Sequence, residues 1–267
     1  MGRRPLTRLE VPLISFLIRS LIGRVFSLGL IVLIVGVAGW YFFIREDNAV
    51  QKEAAQVSDA VRQAAEATAT SPASGQATVP AAAAAGASNI GTTRYRIVEG
   101  QSLAWYLAPE KLARLPTSSV AKGETSEVTG EFHLTADGLD PSKPTTFTVG
   151  VDKLASDAPQ RDQRMRNTLE VTKFPTATFV ATKLTGMPRE FTSTDAIMQL
   201  AGKLTVHGVE KEVTWELKVK KDGAILSALA TVQLKYVDFG MEKPFVAGFV
   251  TVEDDITIQV QLFVTPS

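Results

Sequence analysis

Cysteine is absent from the 267 residues, and histidine occurs only at His133 and His207. The first absence excludes disulfides, thiol nucleophiles and thiolate metal sites. It leaves the compartment open, since a chain without thiols tolerates either redox poise. Two histidines with no Glu-x-x-His pattern are a poor basis for a metal centre. Net charge is missing too: 28 basic residues balance 28 acidic ones, and the globular part is close to neutral, which argues against nucleic acid, since that calls for a concentrated basic face. Asp238-Phe239-Gly240 has no glycine-rich phosphate loop or catalytic-loop His-Arg-Asp to accompany it, so it reads as a bend with Phe239 packed inward. Glu253-Asp254-Asp255 lacks calcium-loop spacing and reads as a solvated loop. No Ser/His/Asp set shows catalytic spacing. The expectation is a protein that is not an enzyme, with no catalytic residue, no metal and no nucleic-acid partner.

Charge is unevenly spread. Residues 1–45 hold six Arg against one Glu, and residues 46–93 hold five acids against two bases. Within the first stretch, Val25 to Ile44 is an uncharged run of 20 residues, VFSLGLIVLIVGVAGWYFFI. As a helix it would extend roughly 30 Å, the thickness of bilayer hydrocarbon. Trp40 and Tyr41 stand near one end, where amphipathic rings favour the headgroup level. Arg3, Arg4, Arg8, Arg19 and Arg24 precede the run, which predicts a cytoplasmic N-terminus (1–24), a single transmembrane helix (25–44) and everything later outside the cytoplasm. A cleaved signal peptide is the competing reading; its apolar region would be long, and Val37-Ala38-Gly39 before Trp40 is a poor cleavage site.

Residues 45–93 form an Ala/Ser/Thr/Pro-rich linker. Val50, Ala54, Val57, Val61 and Ala64 recur at helical spacing and predict a short helix leaving the membrane. From Thr68 the composition cannot bury enough apolar surface to offset chain entropy, and a disordered spacer is expected.

From residue 94 to 267 strand signals dominate. Tyr95 to Val98 and Ser102 to Leu107 open the series, and Lys111 to Leu115 reads as a helical turn or loop. Val128, Gly130, Phe132 and Leu134 alternate with polar residues, as do Phe147, Val149 and Val151. Residues 156–173 are polar, with Met165 and Leu169 four apart, and predict one short helix. Strands over Thr176 to Lys183, Ile225 to Val237 and Ile256 to Val264 flank a hairpin, LAGKLTVHGVEKEVTWELKV, from Leu200 to Val219. On its arms Gly202, Leu204 and Val206, then Val213, Trp215, Leu217 and Val219, point one way. The sum is an all-β, antiparallel barrel of about eight strands with one short helix. A barrel of that size either fills itself with side chains or holds one small ligand.

Three ordered segments are similar to the YceI-like family: Ser156-Asp157 with Arg161-Asp162 and Phe174-Pro175-Thr176-Ala177-Thr178-Phe179; Gly202-Lys203-Leu204-Thr205-Val206-His207-Gly208-Val209-Glu210-Lys211-Glu212-Val213; and Val237-Asp238-Phe239-Gly240-Met241. The resemblance covers about 94–266 and implies a lipocalin-like barrel that binds polyisoprenoid lipid. Two departures stand out. Lys235-Tyr236-Val237 occupies the place where the family usually has an Arg, and many members are secreted whereas this chain carries a predicted anchor.

The functional expectation is a membrane-anchored extracytoplasmic protein of a bacterial cell envelope, holding a polyisoprenoid or isoprenoid-quinone chain in its barrel, with no other cofactor. The candidate apolar lining is Phe132, Phe147, Phe179, Leu204, Val206, Trp215 and Phe239. Arg161 and Asp162 form either a polar mouth or a structural clamp, and His207 serves the turn. The alternative is a non-catalytic structural or interaction domain whose barrel is filled, with no cavity above the size of a water.

Overall fold

The computed structural model describes residues 50–70, 92–112, 118–246 and 250–267. The predicted cytoplasmic segment, the predicted span 25–44 and residues 71–91 of the spacer lie outside the described residues. Among the described residues no helix is long and apolar enough to cross a membrane.

The described strands are β1 (Thr93–Ile97), β2 (Leu103–Leu112), β3 (Ser118–Thr125), β4 (Val128–Thr135), β5 (Gly138–Leu139), β6 (Thr145–Gly150), β7 (Ala155–Ser156), β8 (Thr176–Thr185), β9 (Ala196–Val206), β10 (Val209–Asp222), β11 (Ile225–Lys235), β12 (Phe245–Val246), β13 (Val250–Val252) and β14 (Asp255–Pro266). Two described helices accompany them, α1 (Asp59–Thr70) and α2 (Pro159–Thr168).

Strands β1, β4, β6, β8, β9, β10, β11 and β14 pair in that order, all antiparallel, and β1 pairs again with β14. The circuit closes, so no edge of this ring is left unpaired. Strand β14 makes closure possible by its length. One edge runs along β11 from Asp255 to Val264; the other pairs first with β2 and then with β1. Strands β1 and β2 act as one broken strand, as do their partners β4 and β3. The stretch expected to turn at Lys111 instead continues β2 through Leu112, because β3 and β13 supply ladder partners for it.

The β9–β10 hairpin has unbroken register from Val206↔Val209 to Ala196↔Val219. Its turn is only His207-Gly208, with φ of +53° and +74°. Positive φ at both central residues is the mark of the twist-matched type I′ turn. Within the hairpin, on β9, Gly202 is a site of close approach to β8. A Cβ there would lie 2.7 Å from Phe179 Cζ and 2.3 Å from the Val180 carbonyl oxygen, so only glycine lets the Phe179 ring lie flat against β9. Strand β11 ends at Lys235 rather than Val237, where a 3-10 turn over Tyr236–Phe239 begins and stops at left-handed Gly240.

The linker departs from expectation. Residues 50–58 are not helical; they run extended over the outer face of the barrel, and the helix starts only at Asp59. Side chains of β14 hold this strap by its backbone. Gln259 accepts from the Gln51 N–H at 2.9 Å and donates to the Gln51 carbonyl at 2.8 Å. Gln261 accepts from the Ala55 N–H at 2.8 Å, and Ser227 donates to the Ala55 carbonyl at 2.6 Å. Lys218 Nζ donates to the Lys52 carbonyl at 2.8 Å. Ala54 is buried with Trp105, Leu107 and Leu229, while Val61 and Ala65 of α1 are buried with Val98, Ile225 and Phe263. Ala54, Val61 and Ala65 thus face the barrel wall while Val50 stays exposed, and residues 50–70 are part of its fold.

Candidate functional site

Alternation places one face of every barrel strand inside, and those inner side chains leave a cavity of about 220 Å³ accessible to water centres. By that measure a single water needs roughly 10–15 Å³, so the filled barrel is not what this interior shows. The wall is largely apolar, with no charged residue in it.

All seven candidate lining residues border this cavity: Phe132, Phe147, Phe179, Leu204, Val206, Trp215 and Phe239. Four of them, with Tyr95, form a continuous aromatic arc around the wall. Successive ring centroids are 5.2 Å (Tyr95–Phe132), 6.0 Å (Phe132–Phe147), 6.4 Å (Phe147–Phe179) and 5.9 Å (Phe179–Trp215) apart. Such offset and edge contacts are the favourable geometries for aromatic pairs. Leu204 and Val206 come from β9, and Phe239 enters from the 3-10 turn after β11 with almost no exposure.

The family-like segments converge at one end of the barrel. His207 Nε2 lies 3.5 Å from Glu170 Oε1, at ion-pair range but without hydrogen-bond geometry. The Phe174 ring meets the His207 ring edge-on at 5.2 Å, and a Cβ on Gly208 would lie 2.6 Å from Phe174. His207 therefore serves the turn and its neighbours, as its position at the strand end implies.

Arg161 and Asp162 sit in the first turn of α2. Asp162 Oδ1 accepts from the Ser156 N–H at 2.8 Å and from Ser156 Oγ at 2.6 Å, which ties the helix to β7. Arg161 donates to Asp157, and its Nε lies 3.9 Å from Glu110 Oε1 on β2. These are the bonds of a clamp between helix and barrel, and neither residue lines the cavity.

The sequence reading missed three polar residues in the wall: Tyr106, Thr145 and Tyr236. The Thr145 and Tyr236 hydroxyls and the Trp215 indole N–H are buried without a hydrogen-bond partner. Burial pushes the Tyr106 phenol up to about 12 and raises the Tyr236 phenol further. A signal existed for Tyr106, since Ala104, Tyr106 and Ala108 alternate with Trp105 and Leu107 along one strand. Among the described residues no group of three His, Asp or Glu side chains could hold a metal ion.

Solved structures similar to this chain include BcnA of Burkholderia cenocepacia (18% identity, TM-score 0.47, covering 62% of this chain and 98% of that one). A polyisoprenoid binding domain from Saccharophagus degradans is also similar (14% identity, TM-score 0.47, covering 65% of this chain and 98% of that one). A third is a YCEI protein of Campylobacter jejuni (18% identity, TM-score 0.39, covering 48% of this chain and 77% of that one). Comparison with curated proteins gives no match. The assignment rests on the family model for the YceI-like domain, which matches residues 95–264, well over half of the sequence, and takes in part or all of every strand of the barrel circuit. With its ordered motifs gathered at one end of a closed antiparallel barrel, the chain belongs to the YceI-like domain family.

Proposed function

We propose that this protein is a binding module that holds the apolar chain of an isoprenoid lipid, a polyprenyl chain or a prenylated quinone, inside its barrel. The observation that carries the reading is the hollow interior, about 220 Å³ walled by aliphatic and aromatic side chains. Burial of an aliphatic chain there would gain roughly 25 cal/mol per Å² before ordering costs, with no polar contact required. Membership in the YceI-like family, whose resemblance implies a barrel that binds polyisoprenoid lipid, supports the same ligand class. The interior contains no charged cluster suited to acid–base chemistry, and we assign it binding rather than catalysis.

The uncharged run from Val25 to Ile44, with arginines before it, supports an anchor that keeps the barrel beside the bilayer in which such lipids reside, on the extracytoplasmic side. The decisive experiment is mass spectrometry of lipid extracted from the intact purified chain. An isoprenoid should be recovered in near-stoichiometric amount. Recovery of none, together with failure to take up a polyprenyl probe, would overturn the reading. Protease accessibility of the barrel in intact cells and in inverted vesicles tests the orientation.

A further inference from the structure

The strap over the outer wall is held differently from every strand of the ring. It has no ladder: Gln259 grips Gln51, Gln261 and Ser227 grip Ala55, and Lys218 grips the Lys52 carbonyl, all by side chains. Ala54 is the one buried residue of the extended stretch, and α1 adds Val61 and Ala65. These are small groups to set against the entropy of ordering residues 50–70. A helix of 12 residues is marginal by itself in water, so α1 depends on the barrel beneath it. Strap and helix should therefore lift as one unit, far more readily than the closed ring unfolds. Lifting uncovers Trp105, Leu107 and Leu229, and Val98, Ile225 and Phe263, which favours return. The gripping side chains are polar and can take water in the meantime.

The docked strap also has a direction. It runs parallel to β14, from Gln51 at Gln259 to Ala55 at Gln261, and Arg62 of α1 then pairs with Asp222 beside the β10–β11 turn at 2.6 Å. Residue 50 thus points back toward the start of β14, where Asp255 pairs with Lys235 and the following turn meets His207. Residues 45–50 alone separate the predicted span from the first gripped residue, a reach of at most about 20 Å. With the strap lifted, residues 45–92 all become tether. Their root-mean-square reach is on the order of 40 Å, and full extension would give about 160 Å.

Resting on the anchor reading above, we infer that residues 50–70 are a retractable strap that sets how far the barrel stands from the bilayer and which end it presents. Docked, the strap keeps the His207 end toward the membrane at short reach. Lifted, it frees the barrel to turn and range on the whole linker.

The test uses the full chain in lipid nanodiscs. Hydrogen exchange should show the amides of 50–70 opening together, at least about a hundred-fold faster than the ladder amides of β11 and β14 yet protected relative to free chain. Reach is read by energy transfer to an acceptor lipid. The chain has no cysteine, so Val237→Cys and Ile197→Cys, each at a position 65% exposed, take a single donor dye. Ile197 lies at the end of β9 away from His207, and the Val237 dye should sit roughly 25 Å nearer the bilayer. Ala54→Asp with Val61→Asp places charge against the apolar wall and leaves every barrel residue in place. It should abolish protection of 50–70, lower transfer from the Val237 dye and erase the difference between the two sites, with ladder amides unchanged as proof of fold. Strap amides that open only with the barrel, or that show no protection, would overturn the inference. So would equal transfer from both dyes in the parent, or an unchanged difference in the variant. Failure of the chain to float with the nanodiscs would instead sink the anchor reading, and exchange would still report whether the strap lifts.

Discussion

His207 Nδ1 lies 3.3 Å from the backbone oxygen of Phe239, joining the tip of the β9–β10 hairpin to the turn that closes β11. A carbonyl can only accept, so this nitrogen carries the hydrogen. The imidazole thus fixes the turn that presents Phe239 to the cavity. His207→Ala should lower stability by about 1–2 kcal/mol in urea unfolding, from the lost bond and from an alanine at φ of +53°. His207→Asn tolerates the left-handed backbone better and should lose less.

Gly202 is set by contact rather than by φ. An alanine there would bring its Cβ against Phe179 Cζ and the Val180 carbonyl oxygen, inside any real contact distance. Gly202→Ala should destabilise the chain by roughly 1–3 kcal/mol. Gly223→Ala, in open space at φ of +62°, should cost only backbone strain, about 1 kcal/mol. Thermal unfolding of the pair separates the two effects.

The hollow interior permits a substitution that most cores refuse. Ala230 lines the cavity, and Ala230→Phe would place a ring in its empty volume. Such a variant should fold, with melting within a few degrees of the parent, and lose most of its lipid on extraction and mass spectrometry. Retention of full lipid by a folded variant would mean the ligand lies elsewhere.

Alkaline stability follows from the two cavity tyrosines. Their folded-state values lie above the ordinary value near 10, with Tyr106 at about 12. Between pH 10 and 12 the unfolded chain has released these protons and the folded chain has not, so stability falls as pH rises. The contribution is fully present below pH 10, and for Tyr106 it is on the order of 2 kcal/mol. Urea unfolding at stepped pH should show this loss. The double variant Tyr106→Phe/Tyr236→Phe should show a flatter profile above pH 10.

The strands were legible because the inner face of each is apolar at every second position, and β14 shows the pattern in full at Ile256, Ile258, Val260 and Leu262. The same pattern marked Phe132, Phe147 and Trp215 as inner residues. What it could not reveal is what covers the other face. Gln259 and Gln261 occupy alternate polar positions of β14 that ought to meet water, yet they are 0% and 4% exposed. Their backbone partners lie more than two hundred residues earlier, in a segment whose alanines and valines also fit a helix. Tyr236 carried a signal that was overlooked: it continues the inner positions Leu226, Ala228, Ala230 and Leu234 within the expected strand Ile225 to Val237, although β11 itself ends at Lys235. Hollow and filled barrels share one pattern, so the cavity itself needed coordinates.

Cutting the chain just before β1 would look harmless on the sequence, since the barrel circuit would remain whole. It would strip the cover from Trp105, Leu107, Leu229, Ile225 and Phe263 and leave two glutamine amides without the backbone they grip. Two uncovered greasy patches beside amides that have lost their backbone partners make an adhesive surface, fit to capture another extended peptide or a second copy of itself. Self-association of such a shortened barrel would be a product of the scissors, and residue 50 is the safer place to begin.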